Sequence, residues 1–241
     1  MAKQTKPSGS RGRPPRSERD FAAIRAGGED SGDLNRRILG AAAEIFAERG
    51  FAAASIDEVA QRLGATKGLV YHRYRSKGEL LGDVCRAGFS TLEEKATRTT
   101  QTSERAVTRL TALAVIHASD VLTANALHRT MADAIAGPAM MQLPAAERDA
   151  IATLVERRRA YDARFAELIA EAGRERDLPS GRDTEMLGRI FVAVLDGPLR
   201  WPQETLDALV QKRDLIARQL AYFALRGTGA SDTTLAEEFS R

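Results

Sequence analysis

The 241-residue sequence holds a single cysteine, few aromatics (5%) and three histidines. Each scarcity excludes something. With Cys85 alone, neither an intramolecular disulfide nor a cysteine-rich metal site can form. His117 and His128 are too far apart to share a helical turn, and no carboxylate at i+4 completes a ligand set, so no metal is expected. There is no glycine-rich phosphate loop, no nucleophile elbow and no spaced Cys/His or carboxylate constellation, so the sequence calls for neither enzymatic activity nor a cofactor. No apolar run reads as long enough to cross a bilayer and the first residues lack an apolar h-region, which predicts a cytoplasmic protein without a membrane partner. Runs of β-branched residues at period two are rare as well. Alanine, leucine, arginine and glutamate dominate, and that composition predicts an all-α fold.

What is present is unevenly placed. The net charge is +3, yet Met1–Arg16 alone carries Lys3, Lys6, Arg11, Arg13 and Arg16 with no acid, which leaves the remainder slightly acidic. A basic arm on a nearly neutral body suits contact with a polyanion through one arm and one patch. Residues 1–31 are polar and rich in Ser, Gly, Pro and Arg, and are expected to be disordered without a partner. Within them, Arg11-Gly12-Arg13-Pro14 is narrow enough to lie in a DNA minor groove. A merely solvated tail is the other reading of the same residues.

The chain is organised around Ser55–Leu80. Ser55 and Glu58 are spaced as a capping box, and Ile56, Val59, Ala60 and Leu63 recur at helical spacing. Gly64 is placed to end that helix in the left-handed conformation, and Thr66 to cap a second, Lys67–Tyr74. Ser76 and Glu79 form a second capping box opening a third helix, buried through Leu80, Leu81, Val84 and Leu92. Before this unit, Asp33–Arg49 reads as an amphipathic helix with Leu34, Ile38, Ala42, Ile45 and Phe46 on one stripe, with Phe51 folding back beyond Gly50. Helix, glycine turn, short basic helix is a helix-turn-helix with its recognition helix identified. Thr66, Lys67 and Gly68 then sit at the N-terminus of the recognition helix, where side chains reach base edges. Lys67 can donate to guanine, and Gly68 allows close backbone approach.

The stretches ILGAAAEIFAERGF and SIDEVAQRLGATKGLVYHRYRSKGELL resemble the DNA-binding domain of TetR-family transcriptional regulators. The resemblance covers about residues 32–92. It implies that Tyr71 and Lys77 hydrogen-bond phosphates, that Ser55 does so from the other side of the groove, and that His72 and Arg73 occupy positions of further phosphate contact. Of those two, Arg73 is favoured because it is always charged. It also implies that Tyr74, where the family usually has phenylalanine, packs inward. In such regulators the last two long helices form a four-helix dimer interface. Here these would be Thr184–Trp201 and Glu204–Arg226, the second bearing Leu206, Leu209, Val210, Leu215, Ile216, Leu220, Phe223 and Leu225. A twofold dimer implies a palindromic double-stranded DNA operator.

Thr97–Ser103 reads as a polar break between the DNA-binding domain and a helical ligand-binding and dimerisation domain, residues 93–227. Its helices are expected at Glu104–Thr123, Ala124–Ala136, Ala145–Ala172 and the two just named, with a loose tail at 228–241. Among them His117, Arg158 and Tyr161 are the candidate effector contacts, beside Asn125 and His128; core groups with internal partners are the alternative. The C-terminal stretch is similar to family members that control fatty-acid or steroid catabolism and respond to acyl-CoA thioesters. The expected function is a homodimeric repressor released by a small-molecule effector, an acyl-CoA or another hydrophobic compound. A constitutive, nucleoid-type DNA-binding protein is the alternative.

Overall fold

A computed structural model describes residues 31–101, 104–136, 141 and 143–240. The basic arm, including Arg11-Gly12-Arg13-Pro14, and the expected Gly137-Pro138 break lie outside the described residues. The described residues are helical and contain no strand. In order they form α1 (Ser31–Ala53), α2 (Ile56–Arg62), α3 (Lys67–Arg73), α4 (Lys77–Thr100), α5 (Ala106–Thr123), α6 (Asn125–Ala136), α7 (Ala145–Arg174), α8 (Thr184–Leu195), α9 (Gln203–Ala208), α10 (Arg213–Gly227) and α11 (Asp232–Phe239). Short 3-10 turns at Gly197–Arg200 and Val210–Lys212 flank α9. By contacts the chain divides into residues 1–36 and a compact unit of residues 37–241.

Within the larger unit the first three helices meet as the apolar spacing predicts. Ile38, Ala42, Ile45, Phe46, Ile56, Val59 and Ala60 are buried. Gly50 has φ 74° and ψ 157°, so the helix breaks there, and Phe51 returns to within 5.7 Å of Phe46, ring to ring. Polar clamps close the same unit from outside. Arg62 reaches Glu44 at 2.9 Å and Glu48 at 2.7 Å, and Arg49 reaches Glu58 at 2.8 Å.

Helix α4 is the strut between this unit and the rest, packing on α5, α6 and α7. It does not stop at Thr97. The hydroxyls of Thr97, Thr99 and Thr100 donate to carbonyls four residues back, so the polar run extends the helix to Thr100 instead of breaking it. Helix α5 lies in the core, against α4, α7 and α10. By length and composition α5 is apolar enough to cross a membrane, which corrects the sequence expectation. Its burial among these neighbours accounts for the same apolarity.

The last two predicted helices are each divided. Thr184–Trp201 stops at Leu195 and passes into the turn around Pro198, and Glu204–Arg226 is interrupted at Val210–Lys212. Residues 228–241, expected as a loose tail, carry α11, capped by Ser231 and held by Leu235 and by Glu238, which accepts from Thr108 at 2.8 Å.

Candidate functional site

The recognition helix is positioned from both ends. Before it, Gly64 adopts φ 68°, and the Ala65 amide donates to the Ala60 carbonyl at 2.9 Å, closing the turn. Behind it, Tyr74 is buried and its hydroxyl donates to Asp83 at 3.2 Å; burial and that carboxylate push the phenol up to about 12. Only Val70 of α3 is buried. Thr66, Lys67, Gly68, His72 and Arg73 are exposed, and Tyr71 is 49% exposed despite its large ring. An aromatic left at the surface beside three basic side chains is what a DNA-facing helix presents.

The expected contacts divide on inspection. Thr66 has the extended conformation of a cap, but its side chain makes no capping bond, so its hydroxyl stays outward. Ser55 is engaged in the predicted capping box, taking the Glu58 amide at 3.3 Å while the Glu58 carboxylate takes the Ser55 amide at 2.9 Å. Lys67 pairs with Asp57 across the surface, and the hydrogen bond raises its pKa. Both partners are exposed, so the pair is weakly held and Lys67 can exchange it for DNA.

Lys77, expected at a phosphate, is engaged within the protein. Its ammonium donates to the carbonyls of Phe51, Ala52 and Ala54 at 2.6, 3.0 and 2.9 Å and lies 4.5 Å from the Phe51 ring centroid. All three of its N–H donors are thereby used to cap the end of α1. Burial lowers its pKa. The second capping box is half formed. Ser76 takes the Glu79 amide, but Glu79 takes the Arg75 amide instead of that of Ser76. The Ser76 hydroxyl donates to Glu147 of α7 at 2.5 Å, which joins the end of the reading unit to the C-terminal helices.

A second cluster lies inside the C-terminal helices. His117, Arg158 and Tyr161, far apart in sequence, converge with two carboxylates that the sequence reading missed. His117 Nδ1 lies 2.9 Å from the Tyr161 hydroxyl, and its Nε2 lies 2.9 Å from Asp196. Arg158 donates to Asp162 at 2.8 Å and to Asp196 at 2.7 Å. Burial lowers the His117 pKa, so the ring is neutral, donating to Asp196 and accepting from Tyr161. Burial opposes the Asp196 charge, but the hydrogen bonds from His117 and Arg158 and the Arg158 charge outweigh it and hold that carboxyl at about 2. Asp162 was readable as the i+4 partner of Arg158. Asp196 follows the last turn of α8, and nothing local in the sequence marks it as the partner of either residue. As placed, His117 bonds Tyr161 and Asp196 while Arg158 bonds Asp162 and Asp196, so each of the three has an internal partner.

Nearby, Asp120 takes Lys95 at 2.6 Å and His128 at 2.9 Å, joining α4, α5 and α6, and Thr130 of α6 donates to the Ala43 carbonyl at 3.2 Å. Helix α6 thus touches α1 directly, a second connection between the reading unit and the C-terminal helices.

Comparison with known proteins agrees with this arrangement. Residues 38–84 match the family model described as bacterial regulatory proteins, tetR family. Over 44 residues the chain is 46% identical to the HTH-type transcriptional activator FasR of Mycolicibacterium smegmatis, a match that spans 18% of this chain and 20% of that protein. Among solved structures, the ketosteroid transcriptional regulator KstR2 of Mycobacterium tuberculosis superposes with a TM-score of 0.69 at 18% identity, over 85% of this chain and 98% of that one. AibR, solved with isovaleryl coenzyme A and operator DNA, superposes with a TM-score of 0.57 at 21% identity, over 73% and 95%. At such identities the structures establish the fold. Residues 38–84 are therefore a TetR-type helix-turn-helix, and the chain carrying them has the all-α architecture of TetR-family transcriptional regulators.

Proposed function

We propose that this regulator binds a palindromic operator as a homodimer, represses from it, and is released by a small-molecule effector held in its C-terminal helices. The observation that carries the reading is the outward face of α3, where Lys67 at the start of the helix and Tyr71, His72 and Arg73 towards its end are all exposed. In this reading Lys67 and Gly68 meet base edges and Tyr71 and Arg73 meet phosphates, with Ser55 and Lys77 holding the frame.

The dimer follows from apolar surface. Met186 and Ile190 on α8 are 52% and 53% exposed, and Leu215 and Phe223 on α10 are 57% and 67% exposed. Helices α8 and α10 pack side by side, so a second copy of the chain would cover both faces at once. Effector release works only through unequal affinity for the two conformations, and α4 and α6 are the elements that reach both domains. An acyl-CoA thioester is the effector class we would test first, since the AibR structure contains one. Repression is the simplest consequence of occupying an operator; the FasR relative is called an activator, and a promoter fusion gives the sign.

Footprinting at rising salt together with sedimentation tests the proposal. One protected dyad-symmetric site and a dimeric species are expected, with Phe223→Asp shifting the protein towards monomer and weakening the footprint. Uniform, salt-sensitive coating of any duplex would instead support the constitutive DNA-binding alternative.

A further inference from the structure

The unit of residues 37–241 contains a half-open cleft of about 710 Å³ that none of the effector candidates His117, Arg158 and Tyr161 lines. One wall is α1, through Glu44, Ala47 and Glu48. The other is the start of α6 together with the chain from Arg200 to Arg213. Its charges are unequally used. Glu44 and Glu48 are already paired with Arg62. Arg129, Arg200 and Arg213, which line the opposite side, have no ion-pair or hydrogen-bond partner among the described residues. Three guanidinium groups facing one space without an acid of their own mark a site for an anion, and their planar forks suit phosphate or carboxylate.

One further feature narrows the ligand. Trp201, the chain's only tryptophan, lines the same cleft and offers an indole for stacking.

We infer that this cleft binds a phosphorylated molecule with a planar aromatic ring, a nucleoside monophosphate being the simplest that supplies both groups. The phosphate lies against Arg129, Arg200 and Arg213 and the ring against Trp201. The volume is that of a small-molecule site. A ligand here touches α1 of the reading domain and α6 of the C-terminal domain together, so its occupancy is coupled to whatever moves one against the other.

The binding is measured without DNA, so its failure leaves the reading above standing. Isothermal titration of the full chain compares AMP, adenosine and inorganic phosphate. Saturable one-to-one AMP binding is expected, with each of the other two about tenfold weaker or worse, since each lacks one of the two groups the cleft holds. Arg200→Ala, at an exposed position, should weaken AMP about tenfold. Arg159→Ala, at a different cleft on α7 and α8, should leave it unchanged. Circular dichroism melting confirms that both variants are folded. No saturable AMP binding, phosphate binding as tightly as AMP, or equal loss in Arg159→Ala and Arg200→Ala would overturn the inference.

Discussion

Helix α3 buries one of its seven residues, and its arginine, lysine, histidine and tyrosine stand in solvent. Helix α5 buries eleven of eighteen, and around it the same residue types are enclosed. His117 is locked between Tyr161 and Asp196, and Arg158 between Asp162 and Asp196. In the first region polar groups are held at the surface by apolar and capping residues behind them. In the second they bond each other across three elements and hold the core together. One surface is built to gain a partner, and the other cluster already has its partners. The comparison predicts that changes in the first alter DNA binding and leave stability nearly intact, while changes in the second do the reverse.

The largest expected effect is at Arg158. Replacing it with alanine leaves Asp162 and Asp196 without their shared cation in a half-buried site, and the loss of those charged hydrogen bonds costs about 1.5–3 kcal/mol. Urea unfolding should show that loss, while operator sequence preference should persist in whatever protein stays folded. A change of preference with no loss of stability would break the comparison.

Acid should expose the same cluster. The Asp196 carboxyl is held at about 2 against an ordinary 3.8, so the stability it brings is full above the ordinary value and is lost as pH falls through about 2. That interval corresponds to about 2 kcal/mol by linkage. His117 acts in the same direction earlier. Below its ordinary 6.5 the unfolded chain takes up a proton that the buried ring resists, so stability starts to decline there. Stability measured from pH 7 to pH 2 should fall in both stages, and Asp196→Asn should remove the lower one.

The smallest effect concerns one hydroxyl. Tyr71→Phe should weaken operator binding several-fold, the loss expected of one phosphate hydrogen bond at an exposed position. Its melting temperature should match that of the parent, because the ring is half in solvent. A large drop in melting temperature would place Tyr71 with Tyr74 as a core residue.

The same contrast governs what could be read from the sequence. Around α3 the determinants are local. A capping serine with its glutamate, a glycine at a turn and an apolar repeat are written within a few residues of one another, so the helix-turn-helix, its core and the inward Tyr74 were legible. The internal partners of Lys77, the carbonyls at the end of α1, could not be read because they lie more than twenty residues away. In the C-terminal region, periodicity located most helices but missed α11 and the interruption at Val210–Lys212, where apolar residues continue across a break set by packing. His117, Arg158 and Tyr161 could be chosen as polar residues on apolar helices. That they meet Asp196, tens of residues distant, depends on how α5, α7 and α8 cross, which no local pattern encodes.

Selection from a pool of random duplexes by the parent and by Lys67→Ala tests the account most directly. The parent should enrich one dyad-symmetric sequence, and Lys67→Ala should bind it about tenfold more weakly and lose discrimination at one position in each half-site, with an unchanged melting temperature. Enrichment of no sequence by the parent, or the same sequence with undiminished preference by the variant, would contradict a reading helix that contacts bases through Lys67.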